Sequence, residues 1–101
     1  MVDVNNARVK VWEAVDTLAT GTDSIQKRLE YAAMTLGTLG AEAMPKEQRG
    51  EYSAILHELT TEKAQAGEGA LWATLRLMSD EDARRFASRI LSLYINLNGR
   101  M

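Results

Sequence analysis

Residues 24–40, SIQKRLEYAAMTLGTLG, decide the fold class of this chain. Apolar side chains recur along the stretch at intervals of four and three residues: Ile25, Leu29, Ala32, Leu36 and Leu39. Because an α-helix has about 3.6 residues per turn, this spacing places them on one face, as in a helix that buries one side. Asp23 or Ser24 can cap the first turn, and Gly40 is a helix stop. The stretch therefore predicts an amphipathic helix.

The segment before this helix has the same kind of spacing. We expect a helix from about Asn5 to Ala19, ended by Gly21. Its apolar stripe consists of Val4, Val11, Val15 and Leu18, with Trp12 and Ala19 beside it.

The strongest start signal lies near the carboxyl end of the chain. Ser79 is followed by acidic residues at 80, 81 and 82, which the positive end of the helix dipole favours. The predicted last helix then carries one main apolar face: Ala83, Phe86, Ala87, Ile90, Tyr94 and Leu97. Asn98 and Gly99 are a natural stop.

The middle of the chain leaves two helical arrangements open. Pro45 suits a first helical position, because its missing N–H is not needed there. Two apolar stripes follow: Tyr52, Ile55, Leu56 and Leu59, then Ala64, Gly67, Leu71, Leu75 and Met78. They fit either one long bent helix over 46–78 or two helices that meet near Thr60 or Gly67. Each glycine costs up to about 1 kcal/mol inside a helix, which favours a kink or a break.

Together these patterns predict an all-α fold, an antiparallel bundle of four to five helices, in a single domain over 1–101. The 101 residues, 46% hydrophobic and 26% charged, are typical of one globular domain. Signals for strands are nearly missing.

Composition and spacing exclude most sites of catalysis and metal binding. The chain has no cysteine, so it has neither disulfides nor thiolate chemistry, and it has one histidine, His57. A zinc-protease helix needs a second histidine four residues later, where Thr61 stands. Glu13 and Asp16 match only half of an acidic magnesium motif. We therefore expect no cofactor, no metal site and no enzymatic activity.

Targeting signals and membrane spans are not expected either. The first six residues, MVDVNN, contain an early acid and no apolar core of a signal peptide. The longest uncharged run, residues 31–41, is well short of the roughly 20 residues that span a bilayer. The sequence predicts a cytoplasmic protein.

The last helix carries more apolar side chains than one buried face needs. Leu91, Leu93 and Ile95 are expected outside its main face, and they widen the apolar arc to about 200 degrees. A helix of this kind lies in the centre of the monomer, at a homodimer seam or in a groove for a different protein. We expect a homodimer as the assembly, because homodimers are the commonest oligomers.

The excess of apolar side chains on the last helix leads to two functional hypotheses. The first is a non-enzymatic protein-interaction module, a small helical regulator, adaptor or inhibitor. Its apolar patch would be Leu91, Leu93 and Ile95, with Arg85 and Arg89 as the polar rim. The alternative is a dimeric regulator associated with nucleic acid through Arg84, Arg85 and Arg89. The net charge of −2 makes nucleic acid a disfavoured partner.

Overall fold

The computed structural model describes residues 4–62 and 69–98, and these are helical with no strand. Its α-helices are α1 (Val4–Thr20), α2 (Ile25–Gly37), α3 (Lys46–Glu58), α4 (Ala70–Leu75) and α5 (Asp80–Leu97). A short 3-10 helix, Ala41–Ala43, lies between α2 and α3. The all-α helical bundle that the sequence predicts is confirmed.

The predicted caps of α2 and α5 are present as side-chain hydrogen bonds. Ser24 Oγ accepts from the backbone N–H of Lys27 at 3.2 Å, and Ser79 Oγ accepts from that of Asp82 at 3.1 Å. Gly40 follows α2 with a φ of 78°, a left-handed conformation that glycine adopts without strain. Side-chain caps therefore set the starts of α2 and α5, whereas α2 ends at Gly37, three residues before the predicted stop at Gly40.

The middle of the chain contains two separate helices in the part that the structure describes. α3 ends at Glu58 and α4 begins at Ala70, so one continuous helix over 46–78 is wrong. Ala64 and Gly67 of the predicted stripe lie outside the described residues. Pro45 stands just before α3, with an extended ψ of 150°, rather than at the first helical position.

One hydrophobic core joins the helices. α1 packs against α2 and α5, α3 packs against α5, and α4 packs against α2. The buried side chains include Val11, Leu29, Leu36, Met44, Ile55, Leu59, Leu75, Ile90 and Leu93. On α1 the core face is Ala7, Val11, Ala14 and Leu18, whereas Val15 is only partly buried. The apolar stripe predicted for α1 is therefore partly wrong, because Val15 is not among its fully buried residues. The side chain of Val4 lies outside the described residues.

Side-chain hydrogen bonds of Tyr52 and Gln26 hold the helix ends in place. The hydroxyl of Tyr52 donates to the Leu36 carbonyl at 2.6 Å and accepts from the Gly40 N–H at 3.1 Å. It thereby gives the Gly40 N–H an acceptor and adds a second donor to the Leu36 carbonyl, which also accepts from the Leu39 N–H at 3.1 Å. Gln26 Nε2 donates to the Met78 carbonyl and to Asp80 Oδ1, which joins the start of α2 to the start of α5.

Candidate interaction surface on helices α1 and α5

Helices α1 and α5 lie side by side and run antiparallel. Arg8 Nε, near the start of α1, donates to the backbone carbonyl of Leu97, at the end of α5, at 3.0 Å. Towards the other end, Leu18 and Ala87 line the same groove. The register of the two helices is therefore defined over their shared length.

An open apolar groove runs between the two helices. It has a volume of about 260 Å³ and is lined by Val15, Leu18, Ala19, Ala87, Ser88 and Leu91. Leu18 is buried and forms the floor, whereas Ala19, Ser88 and Leu91 are exposed. All six lining side chains are uncharged, so the groove offers water almost no polar partner other than the Ser88 hydroxyl.

The apolar surface continues beyond the groove towards the start of α1. Trp12 precedes Val15 by one helical turn, and Ile95 follows Leu91 by one turn, so each extends the same flank of its helix. Trp12 is 49% exposed and Ile95 is 40% exposed. We call the combined area the α1–α5 surface, formed by Trp12, Val15, Leu18, Ala19, Ala87, Ser88, Leu91 and Ile95.

The structure separates the three leucine and isoleucine residues of the predicted patch. Leu91 is 45% exposed and belongs to the α1–α5 surface with Ile95, but Leu93 is 1% exposed and lies in the core. The prediction that Leu93 belongs to an exposed patch is therefore wrong, and the spacing of apolar residues along α5 explains why. Positions 86, 90, 93 and 97 follow each other at intervals of four, three and four, which is the core face of α5.

The two predicted rim arginines are both engaged with carboxylates. Arg85 pairs within α5, with Glu81 at 3.4 Å and Asp82 at 3.2 Å. Since all three side chains are largely exposed, this pairing is weak. Arg85 remains at the surface, on the side of α5 away from the core.

Arg89 joins α5 to α3 through a bidentate contact. Its Nε and Nη2 donate to the two carboxylate oxygens of Glu51 at 2.9 and 3.0 Å. Nη1 and Nη2 also donate to Glu58, at 2.9 and 3.1 Å. These hydrogen bonds raise the pKa of Arg89, and those from Arg89 lower the pKa of Glu58. Arg89 therefore serves the packing of α5 on α3.

Of the three arginines considered for nucleic acid, only Arg84 has no ion pair among the described residues. It is exposed and lies one turn before Ser88, on the flank of α5 that carries Leu91. Four acidic side chains neutralise Arg85 and Arg89, so Arg84 is the one basic side chain of α5 without an ion pair to a described residue. This arrangement does not favour the nucleic-acid alternative, which needs several cations directed at phosphates.

Sequence reasoning missed the contribution of α1 to the surface. Trp12, Val15 and Ala19 form the second wall, next to the core stripe of the same helix. The signal was present: α1 carries two adjacent stripes, Ala7, Val11, Ala14 and Leu18 for the core, and Trp12, Val15 and Ala19 beside them. Within the chain α1 packs against α2 and α5, and Trp12 and Ala19 of the second stripe remain exposed beside them.

Other exposed apolar side chains are not among those that line the groove. Met34 on α2 is 59% exposed and Leu77, between α4 and α5, is 63% exposed. Tyr31 is 45% exposed, and Lys27 Nζ lies 5.9 Å from its ring centroid and 4.4 Å from that of Trp72. These residues do not line a groove with the α1–α5 surface.

Within residues 4–62 and 69–98, no three histidine, aspartate or glutamate side chains are grouped so that they can hold a metal ion. No helix of these two ranges is long and apolar enough to cross a bilayer. Comparisons of the chain with protein-family models, with curated proteins and with solved structures found no match.

Proposed function

We propose that this protein is a non-enzymatic protein-interaction module, a small helical regulator, adaptor or inhibitor that acts in the cytoplasm as a homodimer. The interaction takes place through the α1–α5 surface. The observation that carries the proposal is the continuity of that surface, in which the exposed Leu91 lines an open apolar groove and the exposed Trp12 and Ile95 extend the flanks of α1 and α5 beyond it. Single exposed apolar residues are ordinary, but a contiguous groove is typical of a binding site.

The energetics support association through this surface. Removing apolar area from water stabilises a complex by about 25 cal/mol per Å², before the cost of losing free translation and rotation. Tryptophan is among the residues that contribute most to interfaces, and Trp12 lies at the surface with its ring half exposed. Small side chains at Ala19, Ala87 and Ser88 leave the space that a partner side chain needs.

A second copy of the chain is the simplest partner for such a surface. Closed two-fold dimers are the commonest assemblies, and they need only one self-complementary patch. The side chains that form the α1–α5 surface are uncharged, so covering them buries no charge.

Sedimentation equilibrium tests the proposal. We expect wild-type protein to approach twice the monomer mass of 11.2 kDa as its concentration rises through the range of tens of micromolar. Leu91→Glu and Ile95→Glu place a carboxylate on the surface and should weaken association at least about tenfold. Met34→Glu is the matched control, because it changes an exposed helical side chain elsewhere, and it should behave like wild type. A mass of 11.2 kDa at every concentration contradicts the proposal.

A further inference from the structure

Helix α4 is the shortest α-helix in the part of the chain that the structure describes. It has six residues, and its N-cap, Gly69, makes no side-chain hydrogen bond to the first turn. A helix this short is not stable in water by itself, so it depends on packing against the rest of the chain. Its main neighbour is α2, and its side chains Ala73 and Leu75 are buried. The contacts between α2 and α4 therefore decide whether α4 stays packed on the bundle.

The ammonium group of Lys27, on α2, bridges these two helices. Its Nζ lies 4.4 Å from the ring centroid of Trp72, on α4, and donates to Glu30 Oε1 at 2.9 Å. The ring of Tyr31 is a second aromatic neighbour, with its centroid 5.9 Å from Nζ. An aromatic face attracts a cation through its quadrupole, and a carboxylate attracts it through its charge. All three contacts of the amine therefore depend on its positive charge.

Glu30 keeps the amine of Lys27 charged and in position. The hydrogen bond to Glu30 raises the pKa of Lys27 above its ordinary value of 10.5, so the amine is positively charged at neutral pH. Both residues belong to α2, one turn apart, and Trp72 is the aromatic group on α4 that the ammonium meets. The side chain of Lys27 is 41% exposed, so this charge is accessible from solvent.

Two further hydrogen bonds hold the chain around α4, and neither involves an ionised group. Gln26 Nε2 donates to the Met78 carbonyl at 2.9 Å, which anchors the chain just after α4 to the start of α2. Thr74 Oγ1 accepts from the Glu62 N–H at 3.0 Å, a contact with the segment that follows α3. Loss of the Lys27 charge leaves the anchor at Met78 in place, so a movement of α4 away from α2 stays local.

We infer that Lys27 is a charge-dependent latch between α2 and α4, and that removal of its charge lets α4 open while α1, α3 and α5 stay packed. Opening exposes Ala73 and Leu75, which are 1% and 0% exposed when α4 is closed. None of the residues that line the groove between α1 and α5 belongs to α4, so the latch does not depend on the proposed function.

Hydrogen exchange of single backbone amides, followed by NMR, tests whether α4 opens alone. The N–H of Ala73 donates to the Gly69 carbonyl at 3.0 Å, so it exchanges only when α4 opens. We expect its exchange to rise with urea less steeply than that of Ile90, in the core of α5, because opening of α4 exposes less surface than global unfolding. Equal rates and equal urea slopes at the two amides would show that α4 opens only with the whole bundle, and would overturn the inference.

Substitutions at Lys27 test the dependence on charge. Lys27→Gln removes the charge and should speed exchange at Ala73 about fivefold, the size expected from one exposed cation–π contact and one exposed ion pair. Lys27→Arg keeps the charge and can still stack on an aromatic face, so it should stay within about twofold of wild type. Lys10→Gln is the matched control, because Lys10 pairs with Glu13 at the same spacing of three residues, at 3.6 Å, and should leave the rate as in wild type.

Three results at the Ala73 amide would overturn the latch. The first is an unchanged rate in Lys27→Gln. The second is equal acceleration in Lys27→Gln and Lys27→Arg, which would mean that the shape of the lysine side chain, and not its charge, holds α4. The third is acceleration of the same size in Lys10→Gln, which would mean that loss of any lysine charge has this effect.

Discussion

The guanidinium Nε of Arg8 donates to the carbonyl oxygen of Leu97 at 3.0 Å, across 89 positions of sequence. This contact ties the second turn of α1 to the last turn of α5 and holds the two helices in antiparallel register. The flank of α1 with Trp12 and Val15 is thereby aligned with the flank of α5 that carries Leu91. The candidate surface is thus a property of the helix pair, since neither helix has the groove alone.

Burial separates Leu93 from its neighbour Leu91, and this predicts different effects on stability. Leu93→Ala removes a side chain that is 1% exposed, so we expect the free energy of unfolding to fall by about 2–5 kcal/mol. Leu91→Ala, at a site 45% exposed, should cost below about 1 kcal/mol. Urea denaturation at about 1 µM protein, where mass action favours the monomer, measures both. Equal losses for the two variants contradict the assignment of Leu93 to the core.

The hydroxyl of Tyr52 predicts a second stability effect. In Tyr52→Phe the Gly40 N–H loses its side-chain partner, and the Leu36 carbonyl keeps the Leu39 N–H but loses the hydroxyl, in a site where the side chain is 3% exposed. We expect a loss of about 1–2 kcal/mol in the free energy of unfolding. Tyr31→Phe, at an exposed position, is the matched control and should change it by less than about 0.5 kcal/mol. Indistinguishable urea midpoints for the two variants would show that the hydroxyl does not hold the end of α2.

The contact between Arg89 and Glu58 predicts a dependence of stability on acid. Hydrogen bonds from Arg89 lower the pKa of Glu58 below its ordinary value of 4.5, so the folded state binds this proton more weakly than the unfolded state. The ionised carboxylate therefore stabilises the fold above pH 4.5, and this contribution is lost as the pH falls through the lowered folded pKa.

We expect Glu58→Gln to flatten the decline of stability between about pH 5 and pH 3, as followed by urea denaturation at each pH. Asp16→Asn, which removes an exposed carboxylate on α1 without an ion pair among the described residues, should leave the slope as in wild type. A wild-type slope in Glu58→Gln would mean that this ion pair has no part in acid stability.

Much of the fold follows from local sequence. The starts of α2 and α5 were predictable because Ser24 and Ser79 cap the helices by side-chain chemistry that acts over three residues. The sequence did not distinguish one bent helix from two helices between α3 and α4, because the glycines near position 67 are compatible with both. The core face of α1 was misplaced because two apolar stripes share the helix, and spacing alone does not say which of them the core takes.

The candidate site was predicted in part. Its helix α5 and two of its side chains, Leu91 and Ile95, were expected from the excess of apolar residues. Leu93 was placed at the surface in error, although its spacing from Ile90 and Leu97 puts it on the core face of α5. The partners of Arg89 were missed because its ion pairs with Glu51 and Glu58 depend on α3, far away in sequence. The wall from α1 depends on a register between residues 89 positions apart, which no local pattern encodes.

The central claim, that a second copy covers the α1–α5 surface, is tested most directly at Trp12. The chain has two tryptophans, so Trp72→Phe leaves Trp12 as the only indole and keeps an aromatic ring beside Lys27. Fluorescence emission of this variant is measured as it is diluted from about 100 µM to about 1 µM, a range in which a micromolar dimer dissociates. We predict a shift of the emission maximum to longer wavelength on dilution, as Trp12 loses the cover of the second copy and meets water. An emission maximum that stays constant over this range would contradict the account.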